Sequence, residues 1–322
     1  MAIMLQNTLL IPLIFALTSF SFIQSQHQPS ALPFNPILKY HGGPLLNRPR
    51  PINIYLIWYG AFSRANTASI TDFFVSFNSS ESPLLPHQEP TVAAWWRTLH
   101  AYQDRYGKSV STSVRLVKQV GDIYSLGKSI KRAQIATLVK NKISSKIFPL
   151  DSNGIYLVLT AKDVNLERFC MGSCGFHDSV LVSPAKTRVV YGHVGDSLVQ
   201  CPGLCAWPYA IPAYGYGPPG EALVAPNGVD SDGMVINIGA ILVGAVTNPY
   251  KTGYFQGDAL APLEAVTACS GIFGDGAYPG YPGDLLVDKT SKASYNVYGV
   301  NGRKFLLPAI WDLRSFNCKV IA

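Results

Sequence analysis

The sequence predicts a single domain of the α/β or α+β class, with a mixed β-sheet core, flanking helices and long Gly/Pro-rich loops. Three features of the 322-residue chain point there. Short runs rich in β-branched and aromatic residues alternate with stretches of helical period, the element order of a sheet with helices packed on it. Between Cys201 and Gly283 lie 15 of the 28 glycines and 10 of the 23 prolines, a texture of long loops that are functional or pinned by cross-links. No linker and no repeat of fixed period divides the chain.

The first 26 residues have the build of a secretion signal. Leu9-Leu-Ile-Pro-Leu-Ile-Phe-Ala-Leu17 is an apolar core of suitable length, followed by polar Gln24, Ser25 and Gln26. Cleavage is expected near residue 26, leaving a Pro-rich leader over 27–39 and a domain over 40–322. Ile52 to Tyr59 is a strong strand closed by Gly60. Ala65 to Phe77 reads as a helix with Ile70, Phe73, Phe74 and Phe77 on one side. Asn78-Ser-Ser80 is an N-glycosylation sequon. Thr91 to Ala101 is a second helix carrying Trp95 and Trp96, and Val110 to Val120 alternates as a strand does.

Gly127 to Ile147 reads as an amphipathic helix. Ile130, Ile135, Leu138, Val139 and Ile143 form its apolar face, and its other positions are crowded with lysines, a solvated surface or a contact for an acidic polymer. Ile155 to Thr160 is a second strong strand. Val180–Val182 and Val189–Val194 read as a paired edge around Ser183-Pro-Ala-Lys186.

The segment Asp232 to Pro249 is the most distinctive. Every position from Gly233 to Val246 is apolar, small or amide, and none is charged. A helix apolar all round must be enclosed by protein, and this one is too short and too rich in glycine for a convincing membrane span. Asp230 or Asp232 is expected to cap its start, and Pro249 to end it.

The formal charge is +7, and the signal carries none of the charged side chains, so the mature chain keeps it. Such a surface attracts polyanions. No zinc finger, RNA-recognition signature or basic arm points to nucleic acid. Six cysteines, Cys170, Cys174, Cys201, Cys205, Cys269 and Cys318, are an even count that favours disulfides in an oxidising compartment. Fifteen pairings are open. Setting the two C-x3-C pairs against each other or within themselves leaves Cys269 with Cys318.

The catalytic templates fail. The chain has no G-x-S-x-G, no G-x-x-x-x-G-K-[ST] and no H-E-x-x-H. No catalytic residue, metal ligand or cofactor site is expected. Five polar residues in unusual company are candidates for a ligand site: His177, His193, Asp232, Glu264 and Arg303. The competing reading makes the histidines hydrogen-bonded strand residues, Asp232 a cap and Glu264 a first-turn helix residue. A wall-modifying hydrolase or transferase would instead need carboxylates such as Asp232, Glu264 or Asp275 to face each other across a cleft.

Several motifs occur in order along the chain. They are Tyr40-His-Gly-Gly-Pro-Leu-Leu46, Leu56-Ile-Trp-Tyr-Gly60, Cys174-Gly-Phe-His177, Gln200-Cys-Pro-Gly-Leu-Cys-Ala-Trp-Pro208, Asp232-Gly-Met-Val-Ile-Asn237, Ala277-Tyr-Pro-Gly-Tyr-Pro-Gly283 and Val300-Asn-Gly-Arg-Lys-Phe-Leu-Leu-Pro308. This series resembles the plant EXORDIUM-like family of phosphate-induced proteins. The resemblance implies a secreted apoplastic or cell-wall protein with roles in cell expansion, brassinosteroid-linked growth and nutrient adaptation. It carries no catalytic residue across. With no catalytic constellation, it implies action by binding, to an acidic wall polysaccharide or an extracellular protein.

A second resemblance concerns the apolar helix. Leu242-Val-Gly-Ala-Val-Thr-Asn-Pro249 is similar to the end of secreted metallopeptidase helices. In that register Ala240 and Ile241 replace a His and a Glu, and Gly244 replaces a later acidic ligand, which would make a degenerate zincin-like scaffold without ligands. The alternative is an ordinary core helix whose Thr-Asn-Pro is a stop.

Overall fold

A computed structural model describes residues 38–47, 49–81, 89–184, 186–212 and 221–321. The expected secretion signal and the leader up to Ile37 lie outside the described residues.

Five strands form the central sheet: β1 (Ile52–Tyr59), β2 (Val114–Asp122), β3 (Gly154–Thr160), β4 (Gly175–Val182) and β5 (Thr187–Gly195). Their spatial order is β2-β1-β3-β5-β4. The first four in that order run parallel, and β4 pairs antiparallel with β5 along Gly175↔Val194 to Val182↔Thr187. The sheet is mixed, as the sequence predicts, and the expected edge pair is the β4–β5 hairpin.

β1 and β3 read as continuous apolar runs because both faces of a mainly parallel sheet are covered. Side chains alternate between the faces. Ile52, Ile54, Leu56 and Trp58 join Ile155, Leu157 and Leu159 in one core, while Tyr55, Ile57, Tyr59, Tyr156 and Val158 join the other.

The second core is closed by α3 (Arg132–Ser144) through Ile135, Leu138, Val139 and Ile143. The larger core takes α1 (Arg64–Val75), α2 (Val92–Arg97) and α4 (Val229–Thr247). α1 starts where Ser63 accepts the Asn66 N–H at 3.1 Å, and α2 where Thr91 accepts that of Ala94 at 3.1 Å. α3 is shorter than the pattern suggests. Ser129–Ile130 is taken by a parallel pairing with Asn165–Leu166, and the Lys131 N–H is held by the Gln134 side chain at 2.7 Å, so the helix begins at Arg132.

α4 is the enclosed helix. Long and apolar enough to cross a membrane, it has 14 of its 19 residues buried inside the protein. Its start corrects the expectation of an aspartate cap. Gly228, at φ +98°, occupies the N-cap position without a side-chain bond, and Asp230 and Asp232 lie in the first turn. Acidic side chains suit that position, at the positive end of the helix. α4 crosses β4 and β5 where both strands carry glycine. A Cβ built on Gly175 or Gly192 would stand 3.1 or 3.0 Å from Ile241. Bare backbone at those two positions lets the helix approach the sheet.

Three disulfides join Cys170–Cys201, Cys174–Cys205 and Cys269–Cys318. The C-x3-C pairs are thus set against each other, tying the entry to β4 to the segment after β5. The remaining bond closes 49 residues. Replacing Cys269 and Cys318 together by serine should cost about 4 kcal/mol in the loop-entropy account. Urea unfolding measures it, and an unchanged midpoint would show that the cross-link contributes nothing.

Candidate functional site

The five candidate residues separate into three places, two of them at opposite ends of α4. His177 projects from edge strand β4 and meets Glu264, which lies in the loop before the short turn Thr267–Cys269. Glu264 is therefore a loop residue and not part of a helical first turn. The His177 Nε2 stands 3.0 and 2.9 Å from the two carboxylate oxygens. Asn248, just past the end of α4, donates its amide to Glu264 Oε1 at 2.7 Å and accepts the Gly253 N–H at 2.9 Å.

The pair is nearly closed to solvent, with side-chain exposures of 7% and 12%. His177 Nδ1 is buried without a partner. Gly244 makes room for the cluster: a Cβ there would lie 2.4 Å from Glu264 Oε2 and 2.8 Å from His177 Nε2.

At the other end, Asp232 accepts the Asn227 backbone N–H at 2.6 Å and its amide at 2.8 Å. Arg303 donates to Asn227 Oδ1 at 3.0 Å and to Asp72 on α1 at 2.9 Å. Asp230 accepts the Asn66 amide at 2.7 Å. Asp232 and Arg303 thus belong to one network, joined by Asn227, beside a cavity of about 310 Å³ lined in part by Asp72, Asn227 and Arg303.

His193 is separate. It is fully buried on β5, bonded to Thr160 Oγ1 at 2.8 Å and flanked by the rings of Phe169 and Phe176. Burial, helped by the nearby Arg132 charge, pushes its imidazole down to about 3, so it stays neutral in the fold.

Asn227 and Asn248 are the residues sequence reasoning missed. Asn227 stands in an Asn-Gly pair and Asn248 in Thr-Asn-Pro, and either signal reads first as a helix boundary.

The arrangement limits the chemistry. Asp232 and Gly244 are twelve helical residues apart, roughly 18 Å along the axis. Glu264 sits at Gly244, so Asp232 and Glu264 are too far apart for a glycosidase pair, whose carboxyls stand about 5–9.5 Å from each other. Asp275 is exposed in a loop that pairs with Asp284.

A zinc site of the metallopeptidase kind does not fit either. Ala240, Ile241 and Gly244 offer no donor, and His177 and Glu264 are turned on each other. Among the described residues no group of three or more His, Cys, Asp and Glu side chains converges. Asn78, the sequon asparagine, is exposed and donates its amide to the Val114 carbonyl at 2.6 Å.

Glu264→Ala leaves the His177 ring and the Asn248 amide without their acceptor and should cost about 1–3 kcal/mol. Gly244→Ala should be destabilising alone, because its methyl collides with a carboxylate held on two sides. In the Glu264→Ala background the carboxylate collision is gone and only the approach to a His177 ring without its partner remains, so the helical preference for alanine, up to about 1 kcal/mol, offsets more of the cost and Gly244→Ala should be less damaging than it is alone. A double-mutant cycle by urea unfolding should therefore show strong coupling, and additive effects would reject the packing described.

Burial pushes the Asp232 carboxyl up to about 7, against the hydrogen bonds from Asn227. An unfolded aspartate titrates near about 3.9. Between those values the folded chain holds a proton that the unfolded chain has lost, so this group's contribution to stability falls as pH rises from about 4 to 7. His193 acts in the opposite sense from about 3 to 6.5, since there the unfolded chain takes the proton that the folded one refuses. The wild-type profile mixes the two. The difference between Asp232→Asn and wild type isolates the carboxyl, and should shift in favour of the variant as pH rises from 4 to 7. Urea midpoints at pH 4, 5.5 and 7 measure this, and a constant difference would contradict it.

Comparison with known proteins places these features. The phosphate-induced protein 1 conserved region matches residues 38–321. Protein EXORDIUM-like 2 of Arabidopsis thaliana is 46% identical over 289 residues, covering 88% of this chain and 90% of that protein. Protein PHOSPHATE-INDUCED 1 of Nicotiana tabacum is 45% identical over 294 residues, with 90% of each covered. Protein EXORDIUM of Arabidopsis thaliana is 43% identical over 291 residues, covering 88% of this chain and 89% of that protein. No solved structure matches. With both termini of the matched region inside the described fold and the identity spread over nearly all of it, the chain belongs to the phosphate-induced protein 1, or EXORDIUM-like, family.

Proposed function

We propose that this protein is secreted to the apoplast and cell wall of a plant, and that it regulates cell expansion by binding an extracellular partner rather than by catalysis. The observation that carries the reading is the internal pairing of its candidate catalytic groups. His177 Nε2, Glu264 and Asn248 bond to one another at one end of α4, and Asp232, Asn227 and Arg303 do so at the other, each set joining segments distant in sequence. Such networks position backbone, and the carboxylates in them are already engaged by hydrogen bonds from the protein itself.

The net charge of +7 supports attraction to an acidic wall polysaccharide or an acidic protein surface. Three disulfides and an exposed sequon asparagine suit an oxidising, glycosylating route.

Expressed in plant cells with its own leader, the protein should appear in the medium or wall fraction with an intact mass that starts near residue 27. Incubated with a panel of wall polysaccharides, it should be retained by some and release no product from any. A chain still beginning at Met1 would overturn the secreted reading. Product release that is lost in Glu264→Gln would overturn the non-catalytic one.

A further inference from the structure

A second, larger cavity of about 580 Å³ shares no lining residue with either network and falls within the range of roughly 300–1,000 Å³ usual for small-ligand sites. Its wall is the hairpin Tyr278-Pro-Gly-Tyr281. Tyr278 and Tyr281 exchange backbone hydrogen bonds at 3.1 and 2.8 Å across Gly280, which takes φ +90°. The hairpin holds the two rings 5.1 Å apart, tilted by 34°. Trp207 forms another part of the lining, braced from behind by Phe273 at 5.9 Å.

Aromatics in Gly/Pro loops commonly pin those loops by being buried. Here Tyr278 is 62% exposed and does no such work. Two carboxylates complete the lining, Glu221 and Asp284, and Tyr281 Oη donates to Asp284 Oδ1 at 2.5 Å, which orients that group. Among the described residues no Lys, Arg or His lines the cavity.

The geometry points to a binding site for a neutral oligosaccharide, and we propose that this groove is one. The ligand must offer an apolar face to the rings and hydrogen-bond donors to the carboxylates, which only accept. A sugar ring has both, with C–H bonds on its faces and hydroxyls around its edge. A uronate would meet two like charges at close range, so the acidic glycans attracted by the whole protein are excluded from this groove. A proline-rich peptide would stack on the rings but brings few N–H donors, leaving the carboxylates unanswered. The inference rests on the reading that the protein acts by binding, and supplies a ligand class for it.

The test uses the full secreted protein, with Trp207 fluorescence and calorimetry as readouts. The probes are cellohexaose, xylohexaose and mannohexaose, with hexagalacturonate and a decaproline peptide as contrasts. At least one neutral hexasaccharide should bind and perturb Trp207. Tyr278→Ala and Asp284→Asn should each weaken that binding tenfold or more. Both positions are exposed, so thermal unfolding should be unchanged in the variants. The distant variant Glu264→Gln should bind as wild type does.

Absence of binding by all three neutral probes at millimolar concentration would overturn the proposal, as would binding indifferent to Tyr278→Ala, or preference for hexagalacturonate or decaproline. In any of those cases, retention of the protein on wall polysaccharide by another surface would leave the binding function standing. Hydrolysis of a probe would overturn the binding function itself.

Discussion

A helix whose body from Gly233 to Val246 carries no charge has to be covered on every side, and the architecture is organised around that requirement at α4. Its apolar surface forms part of the larger core together with β1, β3, α1, α2 and the segment from Val297 to Trp311. The other face of the sheet is covered by α3, by the short strands Ser129–Ile130 and Asn165–Leu166, and by loop residues such as Phe148 and Phe169. One core thus covers a sheet face, whereas the other covers a sheet face and an entire helix. Residues near the C-terminus are drawn into the core for the same reason. Trp311 is 2% exposed, and the Pro308 carbonyl accepts the Trp95 indole N–H at 2.8 Å.

Much of this was legible in the sequence because it depends on local period and composition. β1 and β3 announced themselves as runs of buried type, the helices as apolar stripes, and α4 as a segment without charge. The errors were at boundaries, where tertiary pairing competes with local preference. Ser129–Ile130 has the apolar residue of a helix face but is recruited by Asn165–Leu166, and Gly228 displaces the better capping residue two positions later.

The polar clusters were only half legible. His177 and Glu264 were singled out by their company, yet they are 87 residues apart and nothing in the sequence says that they touch. Their common partner Asn248 and the bridging Asn227 carry turn signals that hide their role. Tyr278 and Tyr281 were visible as aromatics in a loop, but whether such rings face inward or outward is decided by the hairpin and by what lies beneath it.

A helix without a polar stripe is uniform around its circumference, so the hydrophobic effect alone cannot say which side should face the sheet or how far along its axis it should slide. In α4 that information is held by bare glycine backbone on the facing strands, by hydrogen-bonded groups at the two ends and, between them, by Asn237, whose amide donates to the Cys205 carbonyl at 2.6 Å. The apolar positions of the middle supply cohesion, and these few polar groups supply address. A substitution among the apolar positions would change how tightly the interior holds. One at a polar group would change which arrangement is held, and chains of nearly normal stability could then settle into the wrong one.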